Sequence, residues 1–268
     1  MTPITVPQPK KFVQLQRLVV DSGQLQNKRL FLTQSQKHYL KRVLRLNSGD
    51  RFIAMDGQGH AWLASLVVQP DDPLEYQAEI LEPLAAGTEL SVRVTLVAAL
   101  PKGNGFDEVV RQATELGVDQ ILPVMSDRTL LHPSLQKVER WQRIANEAAE
   151  QSERLCVPRI AAPVSFAEHI YQECQRSEPL VKKYLCVARG NVPHLLECLQ
   201  SGISESPPAS IVLAIGPEGG WTEDEIAGAI AAGYHPVSLG TRILRTVTAP
   251  LVALSLLAAV CEGRGERR

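Results

Sequence analysis

Three glycines and a proline fall within five residues at Gly216-Pro217-Glu218-Gly219-Gly220. Neither a strand nor a helix continues through such a run, so it forms a tight loop whose bare backbone can approach a ligand closely. The chemistry this suits is the holding of a polar cofactor by main-chain groups. No Gly-Lys-Ser/Thr follows, so the lysine that reaches phosphates in a P-loop is missing. The spacing is not that of a dinucleotide-binding Gly-x-Gly-x-x-Gly either. A cofactor with little phosphate charge, such as S-adenosylmethionine, fits a glycine-lined crevice of this kind. The alternative is an ordinary tight turn between a strand and a helix.

A second stretch, Ser238 to Pro250, carries Gly240 and then Arg242-Ile243-Leu244-Arg245. Gly240 is expected to end a strand and Thr248 to cap the last helix. Leu244 and Arg245 are expected on opposite sides of the chain, with a plain salt bridge as the alternative role for Arg245. Two glycine turns at neighbouring strand ends would form one crevice. Among the remaining reactive residues, Lys37, Lys41, Arg42 and Arg45 crowd one side of a short helix, with Arg17 nearby. Like charges three and four apart repel, a cost that makes sense if the face meets phosphates. A solvated basic face is the bland alternative. His194 and Cys198 could share a helix face, but with no second pair nearby a structural role outweighs metal binding, and no metal is expected.

The elements that must position these residues are readable from periodicity. Ile211 to Ile215 is apolar without alternation, as in a strand buried on both faces of a parallel sheet. Thr222 and Glu225 have capping-box spacing and open a helix directly after the glycine loop. Strand, glycine loop and helix N-terminus together place a cofactor at the carboxyl edge of a parallel sheet. From Val92 onward strands and helices alternate, which predicts an α/β domain. Before Glu82 the pattern is mostly short strands around one helix that Ser35 caps and that runs through Arg45, with Leu40, Val43, Leu44 and Leu46 turned inward. Residues 82–91 read as the linker. The expected division is 1–85, a β-rich module whose residues 1–11 are a loose arm, and 86–268, the α/β domain.

The 268 residues carry a formal net charge of −1, so no bulk electrostatic attraction to nucleic acid or membrane is expected. Five cysteines with no Cys-x-x-Cys pair, and no signal-peptide pattern, point to a reducing, cytoplasmic compartment. The longest apolar run, Ala249 to Cys261, is shorter than the roughly 17–25 residues that span a bilayer.

Five segments in order resemble the ribosomal small subunit methyltransferase E family, uridine-N3 methyltransferases of the SPOUT class. They are His38 to Asp50, Arg111 to Val124, Ile144 to Pro158, Ile215 to Ile226 and Ser238 to Ala249. The resemblance implies an N-terminal PUA-like β-barrel for RNA and a C-terminal α/β domain closed by a deep trefoil knot. It assigns Gly216, Pro217, Glu218, Gly219, Gly220, Leu239, Gly240, Ile243, Leu244 and Arg245 to S-adenosylmethionine, whose product is S-adenosylhomocysteine. It implies 16S ribosomal RNA in the small subunit as substrate and a homodimer; the basic residues Arg17, Lys41, Arg42 and Arg45 are the expected RNA contacts. The family pattern has Lys where Gln112 stands and Glu where Val247 stands.

The implied reaction moves a methyl group to uridine N3, which must lose its proton. An arginine is a poor base but a good stabiliser of the uridinate oxygens. That role falls to Arg245, with Arg154 as a second candidate to contact phosphate or base. Glu218 is the weaker candidate for general base and could instead orient its loop by accepting backbone N–H bonds. The other readings are a ribose 2′-O-methyltransferase of the same class and a non-catalytic RNA-binding assembly factor.

Overall fold

A computed structural model describes residues 15–69, 72–84, 87–129, 133–175, 180–205 and 208–263. The expected arm, residues 1–11, lies outside them. The chain divides into two compact units, Met1–Ala86 and Gly87–Arg268.

The first unit contains β1 (Arg17–Val19), β2 (Leu25–Gln26), β3 (Arg29–Phe31), α1 (Gln34–His38), β4 (Arg51–Met55), β5 (Ala61–Gln69) and β6 (Asp72–Leu84). These strands form one six-stranded sheet in the order β1-β4-β5-β6-β3-β2, antiparallel except where β1 joins β4. Leu18, Leu30, Leu40, Phe52 and Leu66 make its core. The short helix departs from expectation in two ways. Its cap is Thr33, not Ser35: the Thr33 hydroxyl accepts the Gln36 N–H, and the Gln36 amide oxygen accepts the Thr33 N–H. Past His38 the coil widens into a π-helical turn over Tyr39–Val43. A wider turn breaks the 3.6-residue register, so Leu40 stays buried while Val43, expected inside, is 59% exposed.

The second unit alternates β7 (Arg93–Ala99), α2 (Gly105–Glu115), β8 (Gln120–Met125), α3 (Leu135–Gln151), β9 (Arg159–Ile160), β10 (Val164–Ser165), α4 (Phe166–Cys174), β11 (Val181–Cys186), α5 (Leu195–Glu205), β12 (Ser210–Ile215), α6 (Glu223–Ala231), β13 (His235–Val237) and α7 (Thr248–Glu262). The sheet is parallel throughout, in the order β10-β8-β7-β12-β11-β13, with β9 beside β8. From β7 the chain steps outward through β8; β12, β11 and β13 lie on its other side. That reversal leaves a crevice at the carboxyl ends of the strands. β12 is covered on both faces. Ile211, Leu213 and Ile215 pack with Leu96, Val110 and Leu254, whereas Val212 and Ala214 pack with Phe166, Trp221 and Tyr234. In register, Cys186 pairs with both Ile215 and Val237, so three strands end level at one edge.

α7 starts differently from expectation. Thr248 is its first residue rather than its cap, and the Thr248 and Ala249 N–H groups both bond to the Arg245 carbonyl at 2.9 Å. No helix among the described residues is long and apolar enough to cross a membrane.

Candidate cofactor and active site

A cavity of about 450 Å³ opens where β11, β12 and β13 end, within the usual size of a small-molecule site. Three loops build it. Cys186 to Arg189 follow β11, Ile215 to Trp221 follow β12, and Leu239, Gly240, Arg242, Ile243, Leu244 and Thr246 follow β13. Arg128 closes a fourth side from the turn after β8.

Nine of the ten residues expected at the cofactor line this cavity: Gly216, Pro217, Glu218, Gly219, Gly220, Leu239, Gly240, Ile243 and Leu244. Arg245 is not in its lining; the side chain is exposed, between the lining residues Leu244 and Thr246. Arg154 departs from its expected role altogether. It is 2% exposed, and its Nη1 donates to the Thr114 and Val118 carbonyls at 2.8 Å. Its Nε and Nη2 reach Glu89 Oε2 at 3.0 and 2.6 Å. With its donors turned inward to the protein, Arg154 is an internal brace and not a substrate contact.

The glycines have steric reasons. A Cβ at Gly216 would stand 3.1 Å from the Trp221 indole, and that ring is stacked on Phe166 at 4.1 Å between centroids. A Cβ at Gly219 would stand 3.0 Å from Arg128 Cδ. Gly220 and Gly240 have φ of +71° and +114°, where a side chain is strained. The remaining wall is apolar, from Cys186, Val187, Ile215, Leu239 and Leu244. Apolar walls with bare loop backbone suit an adenosyl group, held by main-chain groups without a phosphate cradle.

Glu218 belongs to the loop's scaffold. Burial alone would raise its pKa. The N–H groups of Glu218 and Lys102, the Thr246 hydroxyl and the Lys102 charge outweigh burial and hold it below the ordinary value of 4.5. The Lys102 N–H bond is 3.0 Å long. A carboxylate so satisfied is a weak base, and it ties the glycine loop to the segment before α2. Elsewhere in the lining, burial pushes the Cys186 thiol up to about 12, so it stays neutral.

Several site residues had no readable signal of their own. Arg128 arrives from a turn far from the glycine loop. Its Nη1 donates to the Gly219 carbonyl. Cys186 to Arg189 could have been located by the rule that sites lie at the carboxyl ends of neighbouring parallel strands. Val247 packs against the main core cluster, so no carboxylate stands there, and the Gln112 amide oxygen is buried without a hydrogen-bond partner. In the first unit, Lys41, Arg42 and Arg45 are exposed, Arg45 with φ +57°, whereas Arg17 is half-buried. Among the described residues no group of three His, Cys, Asp or Glu side chains could hold a metal ion.

The model of the RNA methyltransferase domain matches residues 88–258, and that of the RNA methyltransferase PUA domain matches residues 32–73. The chain is 47% identical to the ribosomal RNA small subunit methyltransferase E of Synechocystis over 97% of this chain and 82% of that protein. It is 31% identical to the Bacillus subtilis protein of the same name, over 85% and 88% of the two chains. The crystal structure of the Neisseria gonorrhoeae ribosomal RNA small subunit methyltransferase E bound to S-adenosyl methionine superposes with a TM-score of 0.80 at 30% identity, covering 92% of this chain and 98% of that one. The fold is that of a SPOUT-class S-adenosylmethionine-dependent RNA methyltransferase, and the chain belongs to the ribosomal RNA small subunit methyltransferase E family.

Proposed function

We propose that this protein methylates N3 of a uridine in the 16S RNA of the small ribosomal subunit. The observation that carries the reading is the cavity at the level ends of β11, β12 and β13, walled by glycine-loop backbone and apolar side chains. Bound there, S-adenosylmethionine would supply an electrophilic methyl group on its sulfonium.

The protein's own work is positioning. The loops from Ile215 to Trp221 and Leu239 to Thr246 fix the donor end, so that an entering base meets it in line at about 3–3.5 Å. N3 lies on the pairing edge, so the uridine has to leave its stack to reach the cavity. Arg245, exposed beside two lining residues, stabilises the uridinate oxygens from the cavity mouth. Glu218 holds the loop, so the N3 proton passes to solvent water, and the methyl carbon would leave sulfur for N3 to give S-adenosylhomocysteine. Arg42 and Arg45, with Lys41 and Arg17, contact RNA backbone from the first unit. The likeness to the family supports reading residues 1–85 as that RNA-binding module and 86–268 as the catalytic domain.

We also propose that the catalytic domain is knotted and dimeric. The Val187 N–H bonds to the Val237 carbonyl, while Ser238 bonds to Pro193 and Leu195 on its other side. Both ends of the loop 187–195 thus bond to Val237 and Ser238, from which the chain runs on toward α7, and this supports the knotted reading. α7 carries no charge before Glu262 and leaves Leu251 and Val252 half-buried, which suits a face covered by a second copy. The test of function compares N3-methyluridine in small-subunit RNA from cells with and without the gene. Its loss on deletion supports the reading, and its persistence overturns it.

A further inference from the structure

Arg128, Arg189 and Arg242 all line the one cavity, and all three are exposed. The only carboxylate in that lining is Glu218, already engaged by the Lys102 N–H and the Thr246 hydroxyl. Three positive side chains thus line one opening, on a chain of net charge −1, and among the described residues that line it no second acid accompanies Glu218. Arg189 and Arg242 sit on loops after β11 and β13, which are paired neighbours.

Arg128 is fixed in advance. Its Nη1 donates to the Gly219 carbonyl, and its stem lies where a Cβ on Gly219 would stand, 3.0 Å from Cδ. Its own N–H bonds to Ser126 Oγ at 3.2 Å, and the Ser126–Thr129 turn closes at 2.8 Å. The Glu225 carboxylate holds that turn from below, through the Asp127 N–H at 3.0 Å and Ser126 Oγ at 3.3 Å. One of the five guanidinium donors is used on Gly219, leaving the others for a ligand without further ordering of the side chain.

We propose that Arg128, Arg189 and Arg242 form a phosphate-binding rim that grips the RNA backbone beside the target nucleotide, an inference that rests on the RNA methyltransferase reading above. A base that leaves its stack needs its flanking phosphates held at the mouth of the pocket that receives it. The other anion available is the cofactor's carboxylate. One such charge does not account for three surface arginines, so the phosphates are assigned to the rim.

The experiment uses full-length protein, small-subunit RNA from cells lacking the gene, and Arg128→Lys, Arg128→Ala, Arg189→Ala and Arg242→Ala. Arg143→Ala, an exposed residue of α3, is the control. Affinity for S-adenosylmethionine is read by calorimetry, and kcat/KM for RNA across KCl concentrations. Arg189→Ala and Arg242→Ala should bind the cofactor within about twofold of wild type, whereas Arg128→Ala also frees the Gly219 carbonyl and can loosen the cofactor loop. Each alanine variant should lose about tenfold in kcat/KM. The slope of log kcat/KM against log salt should flatten by about 0.7 per arginine removed. Arg128→Lys keeps stem and charge and should keep most of that slope. Weakened cofactor binding with an unchanged salt slope would assign the rim to the cofactor carboxylate and overturn the proposal. Variants that track Arg143→Ala while wild type methylates would overturn it alone; an inactive wild type would overturn the functional reading with it.

Discussion

The carboxylate of Glu225 accepts the main-chain N–H of Asp127 at 3.0 Å. The same side chain takes the Thr222 N–H at 2.7 Å and so completes the capping box of α6. One buried residue thereby joins the helix after the glycine loop to the turn that carries Arg128. Glu225→Ala should destabilise the second unit by about 2–3 kcal/mol, from the lost cap and the lost charged hydrogen bonds. Urea unfolding measures it; a loss below about 0.5 kcal/mol would show that the two loops are not coupled through Glu225.

Glu218→Gln separates scaffold from base. The neutral amide can still accept the Lys102 N–H through its oxygen, so kcat should fall less than about tenfold. A general base would lose about 100-fold or more. The pH dependence has a definite sign. The folded pKa is lowered, so the carboxylate's contribution to stability is whole above about 4.5 and is lost as pH falls through the lower folded value. Unfolding followed from neutral to acid pH should show wild type losing more stability than Glu218→Gln in that window.

Arg154→Ala should be a folding variant. It removes the cation beside Glu89, which keeps the Leu155 and Cys156 N–H groups, takes a donor from the Thr114 and Val118 carbonyls and opens a buried space, at a cost of about 3–5 kcal/mol. Thermal unfolding checks this. A variant of native stability with no activity would restore Arg154 to the catalytic machinery.

Arg245→Ala should leave calorimetric binding of S-adenosylmethionine unchanged and lower kcat by about 100-fold or more. Equal turnover would remove Arg245 from the mechanism.

What was legible in the chain was local. An unalternating apolar run marked β12 as doubly covered, and Thr222 with Glu225 marked the start of α6. Glycines whose roles are steric or torsional identified the loop at Gly216 to Gly220. What was not legible depends on distant partners. Arg154 looks like any exposed arginine until Glu89, Thr114 and Val118 converge on it. Arg128 has no motif, because its place is set by Gly219 and Glu225 across the fold. Val43 was misplaced because a π-helical turn has no simple signature in apolar spacing. Arg245 follows Leu244 closely enough to share its motif, yet only Leu244 lines the cavity.

The most direct measurement is nucleoside mass spectrometry of unmethylated small-subunit RNA treated with the purified protein and S-adenosylmethionine. N3-methyluridine should appear, in proportion to RNA, and should be absent without the protein. A ribose 2′-O-methylated product, or no methyl transfer to either free RNA or assembled small subunits, would contradict it.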